Sequence, residues 1–258
     1  MQSANQKEAG AKAPMSDAEK QTRIELAACY RLAAHYKMTD TIYTHISARV
    51  PGEPGHFLIN PYGFMWEEIT ASSLVKIDVD GNKIDASPHR VNPAGFTIHS
   101  AVHMGRHSAA WVMHTHTRSG FAVSCLEEGL LPLSQIALQY YSQVGYHDYE
   151  GIALDLDERG RIVDALGDNV ALILRNHGLL TVGETAGQMF SNMFYLNRAC
   201  EIQESTLSMG RPLKKIDDAI IKRVSEQFGQ MAYDDGDLLL EWDAQVRLAD
   251  RLDQGFRD

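Results

Sequence analysis

The chain has 258 residues, enough for one or two domains at about 150 residues each, and long enough to bury roughly 70–75% of the surface its unfolded form exposes. Its 24 Lys and Arg against 34 Asp and Glu leave a net charge of −10, which argues against nucleic acid as a partner, because phosphate binding needs a basic face. It lacks an apolar run of about 18 residues that could span a membrane, the polar start MQSANQKEAGAKAPMSDAEK lacks the apolar core of a signal peptide, and the odd, widely spaced Cys29, Cys125 and Cys200 read as reduced thiols of a cytoplasmic protein.

Residues 1–15 are small and polar, without periodicity, and are expected to form a disordered tail. Ser16-Asp17-Ala18-Glu19 reads as a capping box that opens a helix running to about Tyr36, with Leu26, Tyr30 and Ala33 on its apolar face. Two short strands are expected at His56–Asn60, ending in the turn Pro61-Tyr62-Gly63, and at Leu74–Val79, where Asp80-Gly81 signals a hairpin. Pro88 and Pro93 bracket an irregular stretch before a helix from Phe96 to about Arg106. Ala110-Trp111-Val112-Met113 is a buried strand running into His114-Thr115-His116, followed by a helix from about Ser119 to Leu126. Residues 135–144 read as mostly extended, and Leu156 to Leu166 as a short helix. Val170 to Arg175 is an apolar strand, Asn176-His177-Gly178 a tight connection, and Leu179 to Val182 the returning strand. Glu184 to about Met209 is the longest helix, with Ala186, Phe190, Met193, Asn197 and Cys200 at helical spacing. The stripe of Met189, Phe190, Met193 and Phe194 reads as core. Helices at about Asp217–Met231 and Asp237–Leu252 close the chain, so a domain over 16–258 carries C-terminal helices from about residue 211. The fold expected is a single-domain α/β sandwich, with helices on both sides of a mainly antiparallel sheet.

The eleven histidines carry the chemical signal. Residues i and i+2 of a strand share a face, so His114 and His116 can converge on one ion. His177 sits in a turn at the end of a second apolar strand, beside Gly178, whose backbone is free to turn. If these strands are neighbours, three imidazoles meet at one sheet edge, the three-ligand arrangement of catalytic zinc. His99 and His103 are spaced i, i+4 on a helix but have no acidic partner nearby. His35, His45, His56, His89, His107 and His147 read as surface or packing residues. A G-x-S-x-G elbow, a G-x-G-x-x-G fingerprint and a P-loop are all missing, which argues against a serine nucleophile and a nucleotide cofactor.

Val112-Met113-His114-Thr115-His116 and Leu174-Arg175-Asn176-His177-Gly178-Leu179-Leu180 together resemble the class II aldolase/adducin family, supported by Leu58-Ile59-Asn60-Pro61-Tyr62-Gly63 and Phe96-Thr97-Ile98-His99, over roughly residues 18–210. The resemblance implies an α/β/α sandwich around a mainly antiparallel sheet and a homo-oligomer, usually a tetramer. It also implies a divalent metal, typically zinc with iron or manganese as alternatives, held by His114, His116 and His177. Such an ion chelates a substrate carbonyl and a neighbouring hydroxyl and holds the enolate formed in aldol cleavage or decarboxylation.

The departures from the family pattern matter as much. The sugar-phosphate aldolases carry a catalytic acid four residues before the position of His99, and here that position is Gly95. Two serines that help hold phosphate are Pro93 and Ala94, and the Gly-Asn phosphate turn is Thr44-His45. A replacement acid or base is sought in Tyr149 or Glu150, since this region of the family approaches the active site, often that of a neighbouring subunit. Arg118, just after the histidine pair, is a candidate to bind a substrate carboxylate. The reading is a metal-dependent lyase for a small, non-phosphorylated, oxygenated substrate. Its alternatives are a non-haem iron oxygenase on the same triad and a non-catalytic adducin-like binding module. The complete triad, and the chain end Gly255-Phe256-Arg257-Asp258 in place of a basic tail, argue against the module.

Overall fold

The computed structural model describes residues 15–231 and 235–258. The expected tail, apart from Met15, and the link between the last two helices lie outside them. The first helix, α1 (Asp17–His35), starts at Ser16, whose hydroxyl accepts the Glu19 N–H at 3.1 Å. The other half of the expected capping box is redirected. The Glu19 carboxylate accepts from Arg23 Nε at 3.0 Å and Lys76 Nζ at 2.9 Å, and Lys76 also reaches Glu53 at 2.7 Å. A buried charge needs compensation more than a helix end needs a second cap, so the ion pairs win.

Seven strands form one sheet in the order β3-β2-β1-β4-β7-β6-β5: β1 (His45–Arg49), β2 (His56–Ile59), β3 (Val75–Asp78), β4 (Trp111–Thr115), β5 (Val144–His147), β6 (Ala171–Leu174) and β7 (Gly178–Gly183). Every neighbouring pair is antiparallel except β5 with β6. Asp80-Gly81 does turn the chain back, but the return strand amounts to one bridge, Ile77 with Lys83.

The helices α2 (Pro93–Gly105) and α5 (Glu158–Leu166) cover one face of the sheet, over Val112, Leu172, Leu174, Leu180 and Val182. The other face carries α1, α3 (Arg118–Ser124), α4 (Gln135–Leu138) and α6 (Ala186–Ser208), over Ile46, Met113, Ile173 and Leu179. Leu26, Tyr30 and Ala33 of α1 and Phe190, Met193 and Cys200 of α6 are buried there, as their spacing requires. The C-terminal helices are α7 (Asp218–Met231) and α8 (Asp235–Leu252), and Trp242 of α8 packs on Phe190.

Four elements differ from expectation, the first being β1, for which no strand was expected between α1 and β2. Residues 135–144 are not mainly extended: Ser134 caps the four-residue α4 by accepting from Ala137 N at 3.2 Å, turns follow, and strand structure begins only at Val144. α2 begins at Pro93 rather than Phe96, because Asn92 Oδ1 accepts from Ala94 N and Pro93 fills the first helical position, where no N–H is needed. α3 begins one residue early, at Arg118, capped by the Thr117 hydroxyl. The remaining boundaries fall within two residues of expectation.

A candidate metal centre

The two histidine segments meet because β4 and β7 are hydrogen-bonded neighbours, with His114 opposite Leu180 and Thr115 opposite Leu179. His177 occupies the three-residue turn between β6 and β7. Asn176 takes a left-handed φ of 54°, and Gly178 lies so close to β4 that an added Cβ would stand 2.4 Å from the Thr115 carbonyl oxygen. The turn is thereby pressed against the end of β4, where the histidine pair lies. The ligand atoms of His114, His116 and His177 all fall within 4.8 Å of one another.

The far side of each β4 imidazole is pinned. His114 Nδ1 donates to the Leu179 carbonyl at 3.0 Å, and His116 Nδ1 donates to Asp40 Oδ2 at 2.8 Å. A carbonyl and a carboxylate only accept, so in the neutral rings both Nε2 atoms bear lone pairs. These two Nε2 atoms face each other at 3.0 Å. Two lone pairs so placed repel unless a cation lies beside them. Burial pushes the His114 ring well below the usual histidine range, and burial with the neighbouring His116 brings His177 down to about 4. Neutral imidazoles with oriented outer nitrogens are what a divalent ion of the zinc type needs. The donor set therefore fits such an ion.

Sequence reasoning missed Asp40, which comes from the irregular segment after α1, 76 residues before its partner. It also placed His45 among surface or packing residues. His45 is buried, stacks on the His114 ring at 5.4 Å between centroids, and shares a 3.2 Å hydrogen bond through Nδ1 with His99 Nε2. His99 and His103 do not form a metal pair; they share the Ser47 hydroxyl at 2.5 and 2.8 Å. Gly95 sits against His45: a Cβ there would lie 2.3 Å from the ring carbon Cδ2. The absence of a side chain at 95 and the presence of an imidazole at 45 are thus one packing solution.

The remaining candidates are spread out. Arg118 points outward, its side chain 90% exposed, and pairs with Glu204 at 3.0 Å. Glu150 accepts two hydrogen bonds from Arg161, at 2.7 and 2.5 Å, and that guanidinium holds its carboxyl below the usual range. Tyr149 is half exposed. Tyr149 and Glu150 line a narrow cleft together with His177, Arg175, His147 and Glu158. The buried pair of His147 and Glu158 was also missed.

The profile of the Class II Aldolase and Adducin N-terminal domain matches residues 24–204. The chain is 52% identical over 249 residues to a Caulobacter vibrioides protein named for aldolase class 2, covering 96% of both chains. It is 47% identical over 198 residues to alpha-adducin of Rattus norvegicus, covering 75% of this chain and 27% of that protein. Among solved structures, an aldolase II superfamily protein from Pseudomonas syringae superposes with a TM-score of 0.91 at 46% identity, covering 94% of this chain and 97% of that one. L-fuculose 1-phosphate aldolase from Glaciozyma antarctica superposes with a TM-score of 0.80 at 25% identity, covering 96% and 97%. The three-histidine cluster, the mainly antiparallel sandwich that presents it and these likenesses lead to one assignment: the chain belongs to the class II aldolase/adducin family.

Proposed function

We propose that the protein is a metal-dependent lyase acting on a small, non-phosphorylated, oxygenated substrate by aldol cleavage or decarboxylation. The observation that carries this reading is the convergence of two outward-pinned imidazoles, His114 and His116, with His177. A divalent ion held there, zinc in this reading and iron or manganese in its variants, supplies the positive charge that draws electrons from a substrate carbonyl. The chain's own residues do the rest. Asp40 and the Leu179 carbonyl fix the rings, while Gly95 and His45 fill the place of the family's acid with a packed imidazole. Neither arginine is free to meet a substrate carboxylate: Arg118 is tied to Glu204 on the outer surface, and the Arg175 guanidinium donates to the Leu126 carbonyl and stacks on the Tyr146 ring. An oligomer, a tetramer in this reading, accords with family membership.

The similarity to alpha-adducin favours a second reading, a binding module of the same fold. Metal analysis of protein purified without added metal separates the readings. One zinc per chain, lost in His116→Ala with the fold retained, supports the lyase; one iron supports the oxygenase; protein that neither carries nor takes up metal supports the module. The metal-loaded protein is then assayed on fuculose 1-phosphate. Turnover far below about 1 s⁻¹ is expected, since Pro93, Ala94 and Thr44-His45 stand where the family's sugar-phosphate aldolases hold the phosphate, and Gly95 where they carry their acid. Turnover at that rate or faster would overturn the non-phosphorylated reading.

A further inference from the structure

We propose that His147, oriented by Glu158, is the proton-transfer residue of this site; the inference rests on the lyase reading above. His147 ends β5 and lies opposite Leu174 of β6, which lies opposite Gly178 of β7. Partners opposite one another in a sheet share a face. Leu174 belongs to the same core layer as Leu180, and Leu180 is the partner of His114. His147 and His114 therefore project from the same face, and His147 stands at the end of the sheet where His177 turns. The two line one cleft with Tyr149, Glu150, Arg175 and Glu158.

His147 Nε2 lies 3.0 Å from Glu158 Oε1, and both side chains are nearly buried, at 8% and 9% exposure. The carboxylate accepts, so in the neutral ring Nε2 carries the proton and Nδ1 keeps its lone pair. His147 Nδ1 makes no hydrogen bond to any described residue. Burying a carboxylate against an imidazole costs more than joining β5 to α5 with two apolar side chains would. The arrangement instead has the logic of a catalytic dyad, in which a buried carboxylate fixes the tautomer and stabilises the imidazolium. Other groups also bear on this ring: Asp148, Tyr149 and Glu150 follow it in the chain, and Arg175 and His177 lie across β6. Glu150 is already neutralised by Arg161, which leaves Glu158 as its anionic partner.

The step balances without a co-reactant. In aldol cleavage Nδ1 takes the proton of the substrate's β-hydroxyl, and the O–H pair forms the carbonyl of the leaving aldehyde. The C–C bond breaks with its electron pair moving onto the carbonyl oxygen to give the enolate, and the Nε2 proton stays on the ring, hydrogen-bonded to Glu158. The imidazolium then gives that proton to the enolate carbon, which completes the cleavage and restores the neutral ring.

The test uses the full-length zinc-loaded protein and glycolohydroxamate, an enediolate mimic that loses a proton on chelation. Calorimetry in two buffers of different ionisation enthalpy counts the protons released, and ¹⁵N spectra of labelled histidine report the His147 ring. In the wild type His147 should be neutral with its proton on Nε2, and doubly protonated once the hydroxamate binds. His147→Gln should keep one zinc per chain and release one more proton to the buffer. Glu158→Gln should bind zinc equally well but leave His147 neutral in the complex. Equal proton counts in wild type and His147→Gln, or a His147 ring that stays neutral in the wild-type complex, would make the pair a structural pin and overturn the proposal. Should His147→Gln not fold, the wild-type spectra decide alone. A wild type that takes up no zinc fails the lyase reading itself, and the proposal with it; one that takes up zinc but does not bind the hydroxamate overturns the proposal and leaves the metal reading standing.

Discussion

Asp40 touches His116, one of the three histidines of the proposed metal site, on the side away from the other two, and its removal should weaken metal binding without removing any of the three. Outer-sphere partners of this kind are typically worth about 10–100-fold in metal affinity. Asp40→Asn should therefore raise the zinc dissociation constant by that factor with an unchanged circular dichroism spectrum; an unchanged constant would show the contact to be idle. Gly95 gives a sharper contrast, because two effects oppose each other. Alanine in a helix gains about 1 kcal/mol over glycine. The new Cβ, however, would lie 2.3 Å from His45, and overpacking typically costs about 1–3 kcal/mol. His45 is stacked on His114 and bonded to His99, so it has little room to yield, and the clash wins. Gly95→Ala should lower the urea midpoint, and His45→Ala in the same chain should recover part of the loss.

At the scale of elements, the β6–β7 hairpin delivers His177, and Gly178 permits the close passage. Its absent Cβ would meet the Thr115 carbonyl, a backbone atom with no freedom to rotate away. Gly178→Ala should cost about 1–3 kcal/mol and reduce zinc occupancy together with stability, both readable from one thermal melt with metal analysis. Elements with long or unbroken patterns were legible in the sequence: β4, β6 and the 23-residue α6 each carry their burial in their spacing. α4 was not, because four residues are too few for a helical period to stand out from an apolar run. The histidine triad was legible for the same reason as β4, an i, i+2 pair. The dyad of His147 and Glu158 was not, since only the crossover from β5 through α5 to β6 brings the two residues together.

Over the whole molecule, burial of neutral histidines sets a pH response. His99 is pushed well below the usual range and His103 to about 3, both chiefly by burial. Below pH 6.5 the unfolded chain binds protons at these rings that the folded chain refuses. Stability is therefore fully present above about pH 6.5 and is lost as pH falls toward 3, with a slope of up to roughly 1.4 kcal/mol per pH unit for each ring. Urea melts of metal-free protein at pH 7, 6 and 5 should show midpoints falling in that order; flat midpoints would mean that these rings already titrate normally in the fold.

The five-pair ladder between β4 and β7 joins strands that are not consecutive in the chain, with β3, β2 and β1 on one side of it and β6 and β5 on the other. The sheet is thus two halves sewn along one seam, and the histidines straddle it: His114 and His116 come from the earlier half and His177 from the later. A cation gripped by all three works as a rivet through that seam. It can form only after the halves have met, and it must break before they part. Ligand linkage gives about 2.7 kcal/mol at a free-ion concentration of 100 times the dissociation constant. Much of that gain should appear as slower unfolding, because a clasp completed late in assembly is absent from the folding barrier. Stopped-flow unfolding in urea should therefore be several-fold slower with zinc than with a chelator, while refolding changes little.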